Sequence, residues 1–227
     1  MAELCIAEYQ TTECFWQEKL HCFQNANCIS EKNHIDGGKD KKRIKILLFG
    51  VSNVGKSTTG ELLANRLGFK FYDRDMEVKT RMGMTLETFV HTADLRWRDQ
   101  KRGRIIKEHI RLEEDMVLAI TPISFTENFR TKISGDGMLA IELYDTPENI
   151  FDRLVFSDEN DIIYTDDPYK NEHREYYMRD IQADLDWYGK IYAEIGIRNR
   201  VFIDNDLPAN VVERIISEYN LTERLKI

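Results

Sequence analysis

Cysteine is absent from position 29 to the end of this 227-residue chain, because all four, Cys5, Cys14, Cys22 and Cys28, fall in its first 28 residues. The remainder cannot depend on disulfides. The spacings among the four thiols match neither a zinc knuckle nor a redox pair, so free thiols are expected. Proline and glycine are scarce, at 4 and 12 residues, which excludes collagen-like and linker-like composition. Long apolar runs are missing too: the longest is five residues, Met116 to Ile120, far short of a membrane span. The opening Met1-Ala-Glu-Leu-Cys5 carries an acid where a secretion signal needs a positive end, so the cytoplasm is the expected location. Positive charge is in the minority, 32 Lys and Arg against 40 Asp and Glu, leaving a net charge of −8. That balance argues against a broad surface for the phosphate backbone of nucleic acid. With 42% hydrophobic and 32% charged residues, the chain has the material for one sizeable core and an appendage.

Residues 1–43 read as that appendage. Phe15, Trp16, Leu20 and Phe23 line one side of a helix expected over about 13–24, suited to docking on the body or on a partner. The polar, basic stretch from Asp36 to Arg43 is the expected linker. From residue 44 to 227 the pattern alternates between the two periodicities. Strands are expected at 44–49, 69–72, 116–120, 138–144 and 200–203. Helices are expected at 55–67, across 86–112, from Thr146-Pro147-Glu148, at 172–194 and at 208–219. Each strand is separated from the next by a helix or by a segment of crossover length. The expected fold is therefore α/β, a five-stranded parallel sheet with helices on both faces. The stretch 157–173 holds Asp158, Glu159, Asp161, Asp166 and Asp167 with little apolar content, and reads as a mobile surface loop.

The strongest local signal is Gly50-Val-Ser-Asn-Val-Gly55-Lys56-Ser57-Thr58, which fits G-x-x-x-x-G-K-S/T between an apolar strand and a helix start. Glycines at both ends of such a loop let successive backbone N–H groups turn inward, and the helix adds its positive end to the same spot. Gly50, Ser52, Asn53, Val54, Gly55, Lys56, Ser57 and Thr58 are the candidate contacts to ATP. Lys56 is expected to reach the outer phosphates and Ser57 to ligate Mg²⁺. No Asn-Lys-x-Asp element for guanine occurs anywhere, which sets GTPases aside. The strand at 116–120 runs into Thr121 and Pro122 rather than the acid of an ATPase motor. A small-molecule kinase remains.

The element Phe71-Tyr-Asp73-Arg-Asp75 resembles the F-x-D-x-D of the shikimate kinase family, and the likeness runs from about Ile44 to Tyr219. The resemblance implies that Asp73 lies near the waters of the Mg²⁺ and that Asp75 holds hydroxyls of the acceptor. A carboxylate pair after a strand also suits helix capping. Arg153 and Pro208 match family positions that flank the adenine. Trp97-Arg98 resembles the family element whose Arg binds the acceptor carboxylate, although the basic cluster around it also fits a solvated helix face.

Departures from the family pattern concern the acceptor side. Thr121-Pro122-Ile123 stands where the family has three glycines, so the pocket is expected to be smaller. Tyr188 falls where a second acceptor-binding Arg is expected, and Lys101 falls where an acid follows the first. The lid, at about 155–173, is acidic, leaving Lys170 or Arg174 to replace the family's lid Arg. Two functions follow. One is ATP-dependent phosphoryl transfer to a hydroxyl of a small metabolite, shikimate or another alcohol. The other is a nucleotide-binding regulatory or interaction module with little transfer activity.

Overall fold

The computed structural model describes residues 43–224. The expectations placed on the appendage, its helix, its docking and its cysteines lie outside the described residues. Seven strands are present among them: β1 (Lys45–Phe49), β2 (Lys70–Asp73), β3 (Met116–Ala119), β4 (Met138–Tyr144), β5 (Phe156–Ser157), β6 (Ile163–Tyr164) and β7 (Asn199–Phe202). Five form one sheet in the order β2-β3-β1-β4-β7, every neighbouring pair parallel. The helices are α1 (Lys56–Leu67), α2 (Arg74–Met82), α3 (Leu86–Thr92), α4 (Leu95–Ile110), α5 (Pro147–Asp152), α6 (Asp167–Glu172), α7 (Arg174–Glu194), α8 (Pro208–Glu218) and α9 (Leu221–Arg224). The expected five-stranded parallel sheet is what the chain forms.

Strand β1 shows why. All five of its residues are buried, as a central parallel strand covered on both faces requires. Ile46 and Leu48 point to one face, into a core with Leu63, Ile141, Val211 and Ile215. Leu47 and Phe49 point to the other, into a core with Ile106, Leu118, Phe129 and Tyr192. Each such side chain fully removed from water contributes roughly 1.5–3 kcal/mol. Because all five strands run the same way, their carboxyl ends share one edge, where β1 and β2 deliver the phosphate loop and the paired carboxylates.

Two expectations need correction, and one helix was not foreseen. A helix, α2, follows β2 directly, because the Asp73 carboxylate accepts the Asp75 and Met76 N–H groups and caps it. The helical stretch expected over 86–112 is two helices, since Ala93 is extended and Asp94 starts the second by accepting the Trp97 N–H. The acidic stretch 157–173 is not a loop without structure. It contains the antiparallel ribbon β5–β6 and helix α6. Its acids make the turns: Asp158 accepts the Asn160 and Ile162 N–H groups, and Asp166 caps α6 through the Tyr169 N–H. No helix among the described residues is long and apolar enough to cross a membrane.

Candidate active site

The turn out of β1 needs its glycines. Gly50 sits at φ 147°, and a Cβ there would lie 2.4 Å from the Leu143 carbonyl oxygen. Asn53 is at φ 59° and Gly55 at φ 102°, the sequence of left-handed residues that turns amides toward one point. Val54 is buried in the core beneath and anchors the loop, while Ser52 and Thr58 are exposed. Helix α1 starts at Lys56 with no side chain capping its first turn, which leaves those N–H groups to a ligand. The Lys56 ammonium donates to the Val51 carbonyl at 2.7 Å. Burial pushes its pKa down to about 8, Asp75 pulls it back up, Arg74 lowers it again and Asp73 raises it.

Ser57 Oγ donates to Asp73 Oδ2 at 2.5 Å, and the other Asp73 oxygen caps α2. Asp73 is thus both helix cap and partner of the phosphate loop. A hydroxyl and a carboxylate held together at the loop suit Mg²⁺, which takes one or two protein oxygens and completes its shell with waters and phosphates. Among the described residues no group of three or more His, Cys, Asp or Glu could hold a metal by itself.

Asp75 is gripped on one oxygen. Its Oδ1 accepts from Thr121 Oγ1 at 2.8 Å and from Arg74 Nη2 at 3.3 Å. Arg74 is 0% exposed, and its Nε and Nη1 find no hydrogen-bond partner among the described residues. Sequence reasoning passed over Arg74. The available signal was a long cation wedged between two acids at a strand end.

Helix α4 carries Arg98, which is half-buried with an unpartnered Nε. Its neighbour Asp99 is fully buried, accepts the Ser124 and Phe125 N–H groups at 2.8 and 3.1 Å, and pairs with Arg102 at 3.2 Å. The two amides after Ile123 are therefore satisfied internally. The expectation that Ile123 crowds the acceptor pocket is corrected: its side chain is 0% exposed, packed into the core with Leu118 and Phe129. Thr121 and Pro122 alone of the three stay half-buried at the edge. From α7, Trp187 donates its ring N–H to Ser124 Oγ at 3.3 Å.

After α5, Arg153 donates to Asp145 at 2.6 Å, to Asn205 Oδ1 at 3.2 Å and to the Asn53 carbonyl at 3.4 Å. Burial would raise the Asp145 pKa, but bonds from Asn149, Arg153 and the Thr146 and Asn205 amides prevail and hold it low. Arg153 thus ties the phosphate loop to the turn before α8, whose first residue is Pro208. The two cations expected to serve a lid, Lys170 and Arg174, have partners of their own. Lys170 donates to the Asp152 carbonyl at 3.3 Å and pairs with Asp167, and the Arg174 guanidinium lies 4.4 Å from the Phe151 ring centre.

The β5–β6 ribbon, which lies between these two groups in sequence, reaches α2 and α3. At its turn Asp161, at φ 59°, accepts the Leu86 N–H at 2.9 Å and pairs with Lys79 at 2.8 Å. The β5–β6 ribbon is tied to the start of α3 by a residue that sequence reasoning treated only as part of an acidic loop.

Comparison with known proteins points to one family. A family model described as shikimate kinase matches residues 52–219. The shikimate kinase of Persephonella marina is 27% identical over 173 residues, 75% of this chain and 96% of that one. That of Chlorobium phaeovibrioides is 28% identical over 177 residues, 78% of this chain and 87% of that one. Among solved structures, shikimate kinase from Bacteroides thetaiotaomicron aligns with a TM-score of 0.62 at 17% identity, covering 78% of this chain and 98% of the other. The Acinetobacter baumannii enzyme, solved in complex with shikimate, aligns with a TM-score of 0.56 at 20% identity, covering 78% and 96%.

Proposed function

The chain belongs to the shikimate kinase family of ATP-dependent small-molecule kinases, and we propose that its acceptor is a small hydroxylated carboxylate, shikimate first among the candidates. One observation supports the reading: the uncapped, glycine-turned loop, Ser57 and Asp73 lie at the same carboxyl edge of the sheet as Asp75, which is bonded to Thr121 after β3. In this proposal the amides of residues 50–58 and the Lys56 ammonium hold the triphosphate and neutralise charge that grows during transfer. Ser57 and Asp73 would hold Mg²⁺, which supplies further neutralisation between the outer phosphates. The Asp75 oxygen left free by Thr121 and Arg74 accepts the acceptor hydroxyl and orients it. Arg98 offers a planar fork to the acceptor carboxylate. Arg153 and Pro208 border the adenine.

A coupled assay of ADP release tests this, run with MgATP alone and then with shikimate and a panel of polyols and hydroxy acids. Turnover stimulated by a hydroxylated carboxylate, and abolished by Lys56→Ala, is expected. Tight ATP binding with no stimulation by any acceptor would refute it.

A further inference from the structure

A buried cation without full hydrogen bonding is a liability that a fold does not need. Arg74 is such a group. Its side chain is 0% exposed, two of its three nitrogens find no partner among the described residues, and its one ion pair is a 3.3 Å contact to Asp75. Apolar side chains of similar length would fill the same space at less cost in desolvation.

The position gives the liability a purpose. Arg74 stands between Asp73, bonded to the phosphate loop through Ser57, and Asp75, on the acceptor side. Its guanidinium and the Thr121 hydroxyl converge on the same oxygen, Asp75 Oδ1. The Asp75 side chain remains 25% exposed, so its second oxygen is the one available to a ligand. Thr121 belongs to the segment that replaces the glycines expected there, and it uses its side chain to hold Asp75.

We propose that Arg74 is a positioning residue for phosphoryl transfer: together with Thr121 it clamps one oxygen of Asp75 so that the other faces the hydroxyl to be phosphorylated. The role rests on the kinase reading above. It involves no proton transfer by Arg74 and no contact between Arg74 and substrate. The clamp fixes the direction of a single acceptor lone pair, and misalignment there is felt in turnover more than in binding.

The test compares Arg74→Met, Arg74→Lys and Thr121→Val with the unaltered chain, in acceptor kinetics, ATP affinity and thermal melting. Arg74→Met is expected to lower kcat by about tenfold or more while the Kd for MgATP stays within about threefold. Its Tm is expected to hold or rise, because a strained buried charge has been removed. Arg74→Lys should recover part of the lost kcat, as the charge returns without the fork. Thr121→Val should lower kcat in the same direction, and the double variant should lose less than the product of the two, since both act on one oxygen. The inference is overturned if Arg74→Met keeps kcat within about twofold, or if it melts earlier and loses kcat and ATP affinity together. No acceptor-stimulated turnover in the unaltered chain would overturn the kinase reading itself, and this role with it.

Discussion

Ser57 and Asp73, sixteen residues apart, meet through a 2.5 Å hydrogen bond that joins the first turn of the phosphate-loop helix to the end of the edge strand β2. The same carboxylate caps α2 with its other oxygen. Two functions of one side chain can be separated by substitution. Asp73→Asn keeps a capping oxygen and loses the charge. It is expected to melt close to the unaltered chain while needing several-fold more Mg²⁺ for half-maximal turnover. Asp73→Ala loses the cap as well and should cost about 1 kcal/mol of stability. Magnesium titrations and melting curves check both. Equal Mg²⁺ requirements in all three proteins would contradict the metal role.

Lys56 gives a pH signature. Burial lowers its pKa to about 8, so in the free protein near pH 8 a large fraction of the ammonium has lost its proton. A triphosphate seated beside it favours the charged form, so ATP binding near that pH should take up a proton. Calorimetry in two buffers of different ionisation enthalpy measures the uptake. Stability follows the same sign. The folded value lies below the unfolded 10.5, so the group costs stability below about pH 8 and that cost is relieved as pH rises toward 10.5. Lys56→Met should therefore raise the Tm at neutral pH while removing turnover.

The contact proposed as a lid latch can be broken without touching the phosphate loop. Asp161 is 7% exposed at its side chain, and it joins the ribbon to Lys79 and to the Leu86 N–H. Asp161→Ala should favour the open lid by on the order of 2 kcal/mol, the worth of a charge-assisted hydrogen bond. The expected readouts are faster proteolysis within the β5–β6 ribbon and a higher acceptor KM. Burial works to raise the Asp161 pKa, but the Lys79 and the Leu86 and Glu87 N–H bonds outweigh it and hold it below the usual range. The latch is therefore complete above the ordinary carboxylate pKa and is lost as pH falls through the lowered one. Cleavage of the ribbon by an acid-active protease should quicken only as pH falls below the ordinary carboxylate range in the unaltered chain, and be insensitive to the same change in Asp161→Ala.

Arg153 bridges the loop carbonyl of Asn53, the buried Asp145 and Asn205. Arg153→Ala is expected to raise the KM for ATP by about tenfold with little change in the acceptor KM, and to lower the Tm because Asp145 loses its cation. A change confined to the acceptor KM would contradict the place beside the nucleotide proposed for it.

Local chemistry made much of this legible. The strand and helix boundaries followed from hydrophobic period and from punctuation such as Gly68 and Pro147, and the phosphate loop is a contiguous motif whose glycines have one geometric use. What stayed hidden depends on residues far apart in sequence. Nothing near Asp161 announces that it meets Leu86, 75 positions away. The acids of 157–173 resemble those of a solvated loop, because turn-forming and exposed carboxylates have the same composition. Ile123 is placed at the pocket by its match to the family's glycines, whereas the packing of Phe129 and Leu118 around it takes its side chain into the core. Arg74 was overlooked because a charge between two charges reads as solvated until its burial is known.

The most direct test of the account follows the phosphorus atom. Shikimate and MgATP labelled at the γ-phosphate are incubated with the purified chain, and the products are separated and identified by phosphorus NMR and mass. The account predicts the label on a hydroxyl of the acceptor, none of it transferred by Lys56→Ala. Label recovered only as inorganic phosphate, or remaining on ATP across the whole panel of hydroxylated carboxylates, would contradict it.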